Sequence, residues 1–141
     1  MRIDFYVIAD EHPDALRRVA TRLLEKAYAK NLRTWVICAN QTEAEALDDW
    51  LWTYKPDSFL PHSLASNIPE GLDPPIQIGL DNIIPEHNNF NLLLNLSENL
   101  PENLENFDRV LDVVAAHQKE SGRKRYKAYQ KQNAELYHHA V

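Results

Sequence analysis

The sequence predicts an α/β fold of three layers, a mostly parallel sheet with helices on both faces. Three observations predict it: apolar β-branched and aromatic runs near the N-terminus, a stretch of helical periodicity between them, and very short connections. Arg2 to Ile8 has the composition of a strand. From Pro13 to Lys30 the apolar positions Leu16, Val19, Ala20, Leu23, Leu24 and Ala27 recur at three and four, the spacing of an amphipathic helix. Pro13 suits the first turn, and Asp14 suits the positive helix end. Leu32 to Cys38 is a second strand, so strand, helix and strand form a βαβ unit with a right-handed crossover. Thr42 to Glu45 reads as a capping box ahead of Ala44, Leu47, Trp50 and Leu51, which predicts a second helix to about Thr53.

Residues 54–75 hold prolines at 56, 61, 69, 74 and 75, and are expected to form a long loop rather than an element. Ile76 to Leu80 and Asn91 to Leu96 are two further strands, with an Asn-rich surface turn between them. After Pro101, the spacing of Phe107, Val110, Leu111 and Val114 predicts a helix ending near His117. A last helix is expected from about Arg123 to His138, with Gly122 either separating it from its predecessor or tolerated within it. No repeat or low-complexity tail interrupts the chain, and its 141 residues are expected to form one domain.

No apolar run approaches the ~20 residues of a membrane span, and no secretory leader precedes Ile3, so a cytoplasmic location is expected. Cys38 is the only cysteine and has no disulfide partner within the chain. The net charge of −6 disfavours a sequence-independent DNA coat, which needs a broad field of cations. That average conceals a basic run, however. Lys119, Arg123, Lys124, Arg125, Lys127 and Lys131 face one acid, Glu120, giving +5 locally and leaving −11 for the remainder. A basic patch on an acidic body attracts a small acidic partner and repels long polyanions.

A fold that begins strand, helix, strand calls for a glycine-rich phosphate loop at the first turn if it is to bind nucleotides. That turn reads Ala9-Asp10-Glu11-His12-Pro13-Asp14, with three carboxylates and no glycine. Gly71, Gly79 and Gly122, the only glycines, lie elsewhere. A small nucleotide-dependent enzyme is therefore the weaker alternative. No metal site is expected either: His12, His62, His87 and His117 lack paired ligand spacing and read as surface or loop histidines, and His138-His139 is too short for a metal tract. The adjacent Asp48 and Asp49 point about 100° apart on a helix, and read as a solvated face rather than an acid and base pair.

Two surfaces remain. On a helix Arg123, Tyr126, Lys127 and Gln130 share a face, joined by Lys119 if the helix runs through Gly122, while Tyr129 and Leu136 suit packing onto the body. That face is either a docking site for an acidic segment with an apolar tip or an idle solvated helix. The second surface pairs Trp52, which falls off the inward face of its helix, with Phe59 in the proline-rich loop. Those rings either anchor a partner or cover the edge of the core.

Leu51-Trp52, the segment Ser58-Phe59-Leu60-Pro61-His62-Ser63-Leu64 and the segment Arg125-Tyr126-Lys127-Ala128-Tyr129 together resemble the chi subunit family of bacterial DNA polymerase III holoenzyme. The resemblance extends over nearly the full length. It implies a non-catalytic accessory of the clamp-loader complex, at the bacterial replication fork, on a fold like that of nucleotide-binding proteins but without their ligand. Neither cofactor nor membrane is implied, and no direct sequence-specific contact with nucleic acid. The resemblance further implies two partners. One surface, marked by Trp52 and Phe59, would hold the psi subunit. A separate basic site of Lys119, Arg123, Tyr126 and Lys127 would bind the acidic, phenylalanine-ended C-terminal tail of single-stranded DNA-binding protein, with Val114 either an apolar wall of that site or, more simply, a core residue. Direct binding of single-stranded DNA by the same arginine and tyrosine is a third reading, disfavoured by the acidic remainder of the chain.

Overall fold

A computed structural model describes residues 1–55, 59–80 and 89–141. The expected Asn-rich turn between the third and fourth sequence-predicted strands falls largely outside the described residues. Among the described residues seven strands form one sheet: β1 (Arg2–Val7), β2 (Thr34–Cys38), β3 (His62–Leu64), β4 (Ile76–Leu80), β5 (Leu92–Asn95), β6 (Arg109–Val114) and β7 (Glu135–Ala140). Their spatial order is β3-β4-β2-β5-β6-β1-β7, and every neighbouring pair is parallel. The helices are α1 (Ala15–Ala29), α2 (Gln41–Thr53) and α3 (Lys119–Lys131).

Strand alternation sorts the core into two layers. Val36, Cys38, Leu92, Leu94, Leu111 and Val113 pack with the apolar stripes of α1 and α2 on one face. Trp35, Ile37, Leu93, Val110 and Val114 turn to the other face, where Tyr129 of α3 covers them. The three-layer α/β architecture expected from the sequence is thus present, with helices on both faces. Burial also explains the inert cysteine: Cys38 lies inside the sheet, and burial pushes its thiol up to about 12.

Four sequence expectations are corrected. The segment predicted as a helix from Pro101 to His117 contains β6 instead, entered through a short 3-10 turn at Leu104–Asn106. β6 lies in the interior of the sheet and is buried on both faces, so its apolar residues run unbroken and imitate helical spacing. The last helix stops at Lys131, seven residues before its predicted end, and β7 follows. Asn133 takes a left-handed conformation (φ 58°) just beyond that helix, as Asn31 (φ 58°) does beyond α1, so both helices end on the same turn into a strand. The proline-rich stretch holds β3, a three-residue edge strand placed directly after Pro61, where the missing N–H is harmless. Finally, α2 is capped by Asn40 rather than Thr42: the Asn40 side chain accepts a hydrogen bond of 2.9 Å from the Glu43 N–H.

A buried carboxylate fastens β7 to its neighbours. Asp4 of β1 is fully buried and accepts from Arg109 Nε of β6 at 2.6 Å, His139 Nε2 of β7 at 2.8 Å and Arg2 Nε at 3.1 Å. Burial pushes this carboxyl up, but the hydrogen bonds from Arg2, Arg109 and His139 outweigh it and hold the group below the ordinary carboxylate range. Tyr6 stacks on the His139 ring at 4.6 Å and completes the fastening. Among the described residues no helix is long and apolar enough to cross a membrane.

Candidate functional site

Helix α3 runs through Gly122 without interruption. Gly122 is required there by close approach: a Cβ at this position would lie 2.7 Å from Val114 Cγ1 of β6. The helix consequently sits low on the sheet. Its buried stripe is Gly122, Arg125 and Tyr129.

Arg125 is the largest departure from the sequence-level picture of the basic run. It is 3% exposed and points into the protein. Its Nε and Nη2 reach the two oxygens of fully buried Asp112 on β6 at 2.9 Å each, and its Nη1 donates to the Glu98 carbonyl at 2.9 Å. Tyr129 Oη donates to the same carboxylate at 3.0 Å, and Asn95 Nδ2 at 3.3 Å. Burial pushes the Asp112 carboxyl up, and the donors from Arg125, Tyr129 and Asn95 pull against it. The same low dielectric, with Asp112 beside it, pushes the Tyr129 hydroxyl far up, so it stays a donor. Arg125 therefore spends its charge inside. Lys119, Arg123, Lys124, Lys127 and Lys131 remain as the exposed cations of the run.

Between α3 and β7 lies a cavity of about 280 Å³. Its floor is Phe5 and Val7 of β1 with Val114 of β6, its helix wall is Lys119, Gly122, Arg123 and Tyr126, and its strand wall is His138. The Tyr126 ring leans on Phe5 with centroids 5.2 Å apart, and Tyr129 braces Phe5 from the other side at 5.5 Å. Three of the four residues singled out on this face thus converge, with Val114 beneath them. Lys127 does not line the cavity. It sits one helical turn past Arg123 and about 40° further from the buried stripe, so its ammonium is exposed on the outer rim. Phe5, Val7 and His138 were missed. Alternation along β1 carries a signal for the first two; His138 could not be placed while its segment read as helix.

The second surface lies at the far edge of the sheet. Trp52, in the last turn of α2, is 54% exposed, and Phe59, on the approach to β3, is 62% exposed. Their ring centroids are 5.6 Å apart. Behind them, His62 of β3 lies 4.6 Å from the Trp52 ring and is buried, not the surface or loop histidine expected from sequence. Its Nδ1 is 2.6 Å from the Leu60 carbonyl, and its Nε2 is 3.3 Å from Asp48 Oδ1. Asp48 thus belongs to this support rather than to a solvated face; burial pushes its carboxyl up, with His62 pulling it down. The aromatic pair thus projects from a buried, polar-bonded base.

Two further depressions open at the carboxyl ends of the strands, where ligands of parallel α/β sheets commonly bind. One, of about 480 Å³, reaches Arg17, Asn40, Glu43 and Leu96. The other is lined by Asp10, Glu11 and His12. Arg17, the cation nearest the first, is held by Asp14 at 3.4 Å and Glu43 at 3.6 Å. Acidic walls and a neutralised arginine are poor surroundings for a phosphate.

Comparison with known proteins gives a consistent result. A family model described as DNA polymerase III chi subunit, HolC, matches residues 1–137. The Pseudomonas aeruginosa protein named DNA polymerase III subunit chi is 34% identical, over 99% of this chain and 96% of its own length. Proteins of the same name from Haemophilus influenzae and Escherichia coli are 25% identical over 87% of this chain and 85% of their counterpart, and 27% identical over 82% and 78%, respectively.

Proposed function

The chain belongs to the DNA polymerase III chi subunit family, and from that premise we propose that it is a non-catalytic adaptor of the clamp-loader complex. It holds the psi subunit through Trp52 and Phe59, and the acidic C-terminal tail of single-stranded DNA-binding protein through the cavity between α3 and β7. It works in the cytoplasm at the replication fork, without a cofactor. The observation that carries this reading is the placement of the two surfaces. β3 and β7 are opposite edges of the sheet, six strand spacings or about 29 Å apart. The aromatic pair belongs to the edge that α2 covers, and the cationic cavity belongs to the face that α3 covers. Partners on these surfaces have no reason to exclude one another.

The chemistry of the cavity suits a peptide ending in an aromatic residue. Arg123 and Lys119 offer charge-assisted donors to its carboxylates, while Phe5, Val114 and the Tyr126 ring accept its terminal side chain. Lys127, on the rim, contributes longer-range attraction to the upstream acids. A cavity this small gives moderate affinity for one tail, and many tails on a coated strand raise it by local concentration.

Titrating a labelled acidic peptide ending in phenylalanine, followed by fluorescence anisotropy, tests the assignment. Arg123→Ala is expected to weaken binding by roughly tenfold or more, the worth of a charged hydrogen bond. Lys127→Ala, an exposed rim contact, is expected to change it by roughly threefold or less. Unaltered binding in Arg123→Ala would remove the site assignment.

A further inference from the structure

The proposed tail cavity has a second wall, contributed by β7. Because residues of a strand alternate between faces, the adjacent histidines His138 and His139 are sent in opposite directions. His139 turns to Asp4 on the α1 side of the sheet. His138 pairs in register with Phe5 and lines the cavity beside it. Among the described residues the His138 side chain makes no hydrogen bond or ion pair, so its ring nitrogens are available to a ligand. The groups that share the cavity with it are Lys119, Arg123 and Tyr126 from α3, with Phe5 and Val7 of β1 and Val114 of β6 apolar. Its neighbours Tyr137 and His139 project to the other face.

We propose that His138 is a further ligand-binding residue of this cavity, a proton-dependent third cation that faces Arg123 and Lys119 across the bound peptide. The inference rests on the reading of the cavity as a site for an acidic C-terminal peptide. Two fixed cations on one wall oppose a third on the other, whereas a ligand carrying carboxylates between the walls favours it. Proton and acidic ligand therefore bind with positive coupling, and the coupling is reciprocal. An imidazole is the side chain suited to such coupling near neutral pH, where the ligand's carboxylates are already ionised. His138 thereby makes capture of the peptide stronger on the acid side of neutrality and contributes only a neutral hydrogen bond on the alkaline side.

The test uses the full chain and an acidic peptide ending in phenylalanine, titrated at about pH 6 and about pH 8. The native protein is expected to bind roughly three- to fivefold more tightly at the lower pH, the size of one partly screened charge pair. His138→Gln keeps comparable bulk and one donor but cannot take up a proton near neutrality; it is expected to bind with the same affinity at the two pH values, without the native gain at the lower. Calorimetry in buffers of different ionisation enthalpy is expected to show proton uptake by the native protein and none by His138→Gln. A pH gain that persists in His138→Gln, or no gain in the native protein, overturns the inference while peptide binding itself survives. Binding that Arg123→Ala leaves unchanged at both pH values instead overturns the underlying reading of the cavity.

Discussion

Arg125→Ala is expected to lower the unfolding free energy by about 3–5 kcal/mol. The reason is the charge left behind. Asp112 is fully buried, and without the guanidinium it keeps, among the described residues, only Tyr129 Oη and Asn95 Nδ2 as side-chain donors, at 3.0 and 3.3 Å. Two neutral hydrogen bonds do not balance the desolvation of a carboxylate. Removing both charges together, with Asp112→Leu and Arg125→Met, is expected to restore much of the loss, because no isolated charge then remains. Urea melts of the three proteins measure this, and a loss below about 1 kcal/mol in Arg125→Ala would show that the pair does not anchor α3. The consequence for function is direct, since α3 bears Lys119, Arg123 and Tyr126 of the proposed site.

Trp52→Ala is expected to weaken psi binding by roughly 30-fold or more, the effect of truncating an interface anchor of about 2 kcal/mol. The same substitution is expected to leave stability within about 1 kcal/mol, since more than half of the Trp52 surface already faces solvent. Phe59→Ala is expected to act in the same direction, because its ring lies 5.6 Å from that of Trp52 and the two present one apolar surface. Surface-immobilised psi and the three proteins decide it. Retention of native affinity by both variants would move the psi surface elsewhere.

Much of this architecture is legible in the sequence where periodicity and burial agree. α1 has one buried face and one solvated face, so its apolar residues recur at helical spacing and mark it plainly. β4 runs from Ile76 to Leu80, the limits the apolar run suggests. β6 reads as a helix for the opposite reason. A strand buried on both faces carries no alternation, and Val110, Leu111 and Val114 fit a helix equally well. β7 was hidden by its exposure: only Leu136 and His139 are partly buried, so alternation is faint there too. Its signal was Asn133, placed after α3 as Asn31 is after α1.

The candidate site was legible in its cations and not in its walls. Helical spacing brings Lys119, Arg123 and Tyr126 onto one face whatever lies beneath. Whether Arg125 belongs with them depends on Asp112, thirteen residues away in sequence and across the layer in space, which no local pattern reveals. His138 enters only once β7 is known to lie beside β1. Trp52 and Phe59 could be foreseen as neighbours, because the helix turns Trp52 outward and Phe59 follows only seven residues later in the sequence.

On the proposed function, two partners occupy opposite edges of one small sheet at the same time. The most direct measurement is analytical ultracentrifugation of this protein with psi and a labelled acidic tail peptide, repeated with Arg123→Ala and Trp52→Ala. A ternary complex is expected for the native protein, with each partner's affinity unchanged by the other. Arg123→Ala is expected to lose only the peptide, and Trp52→Ala only psi. Displacement of the peptide by psi, or loss of both partners from either variant, would mean that the two surfaces are not independent docking sites.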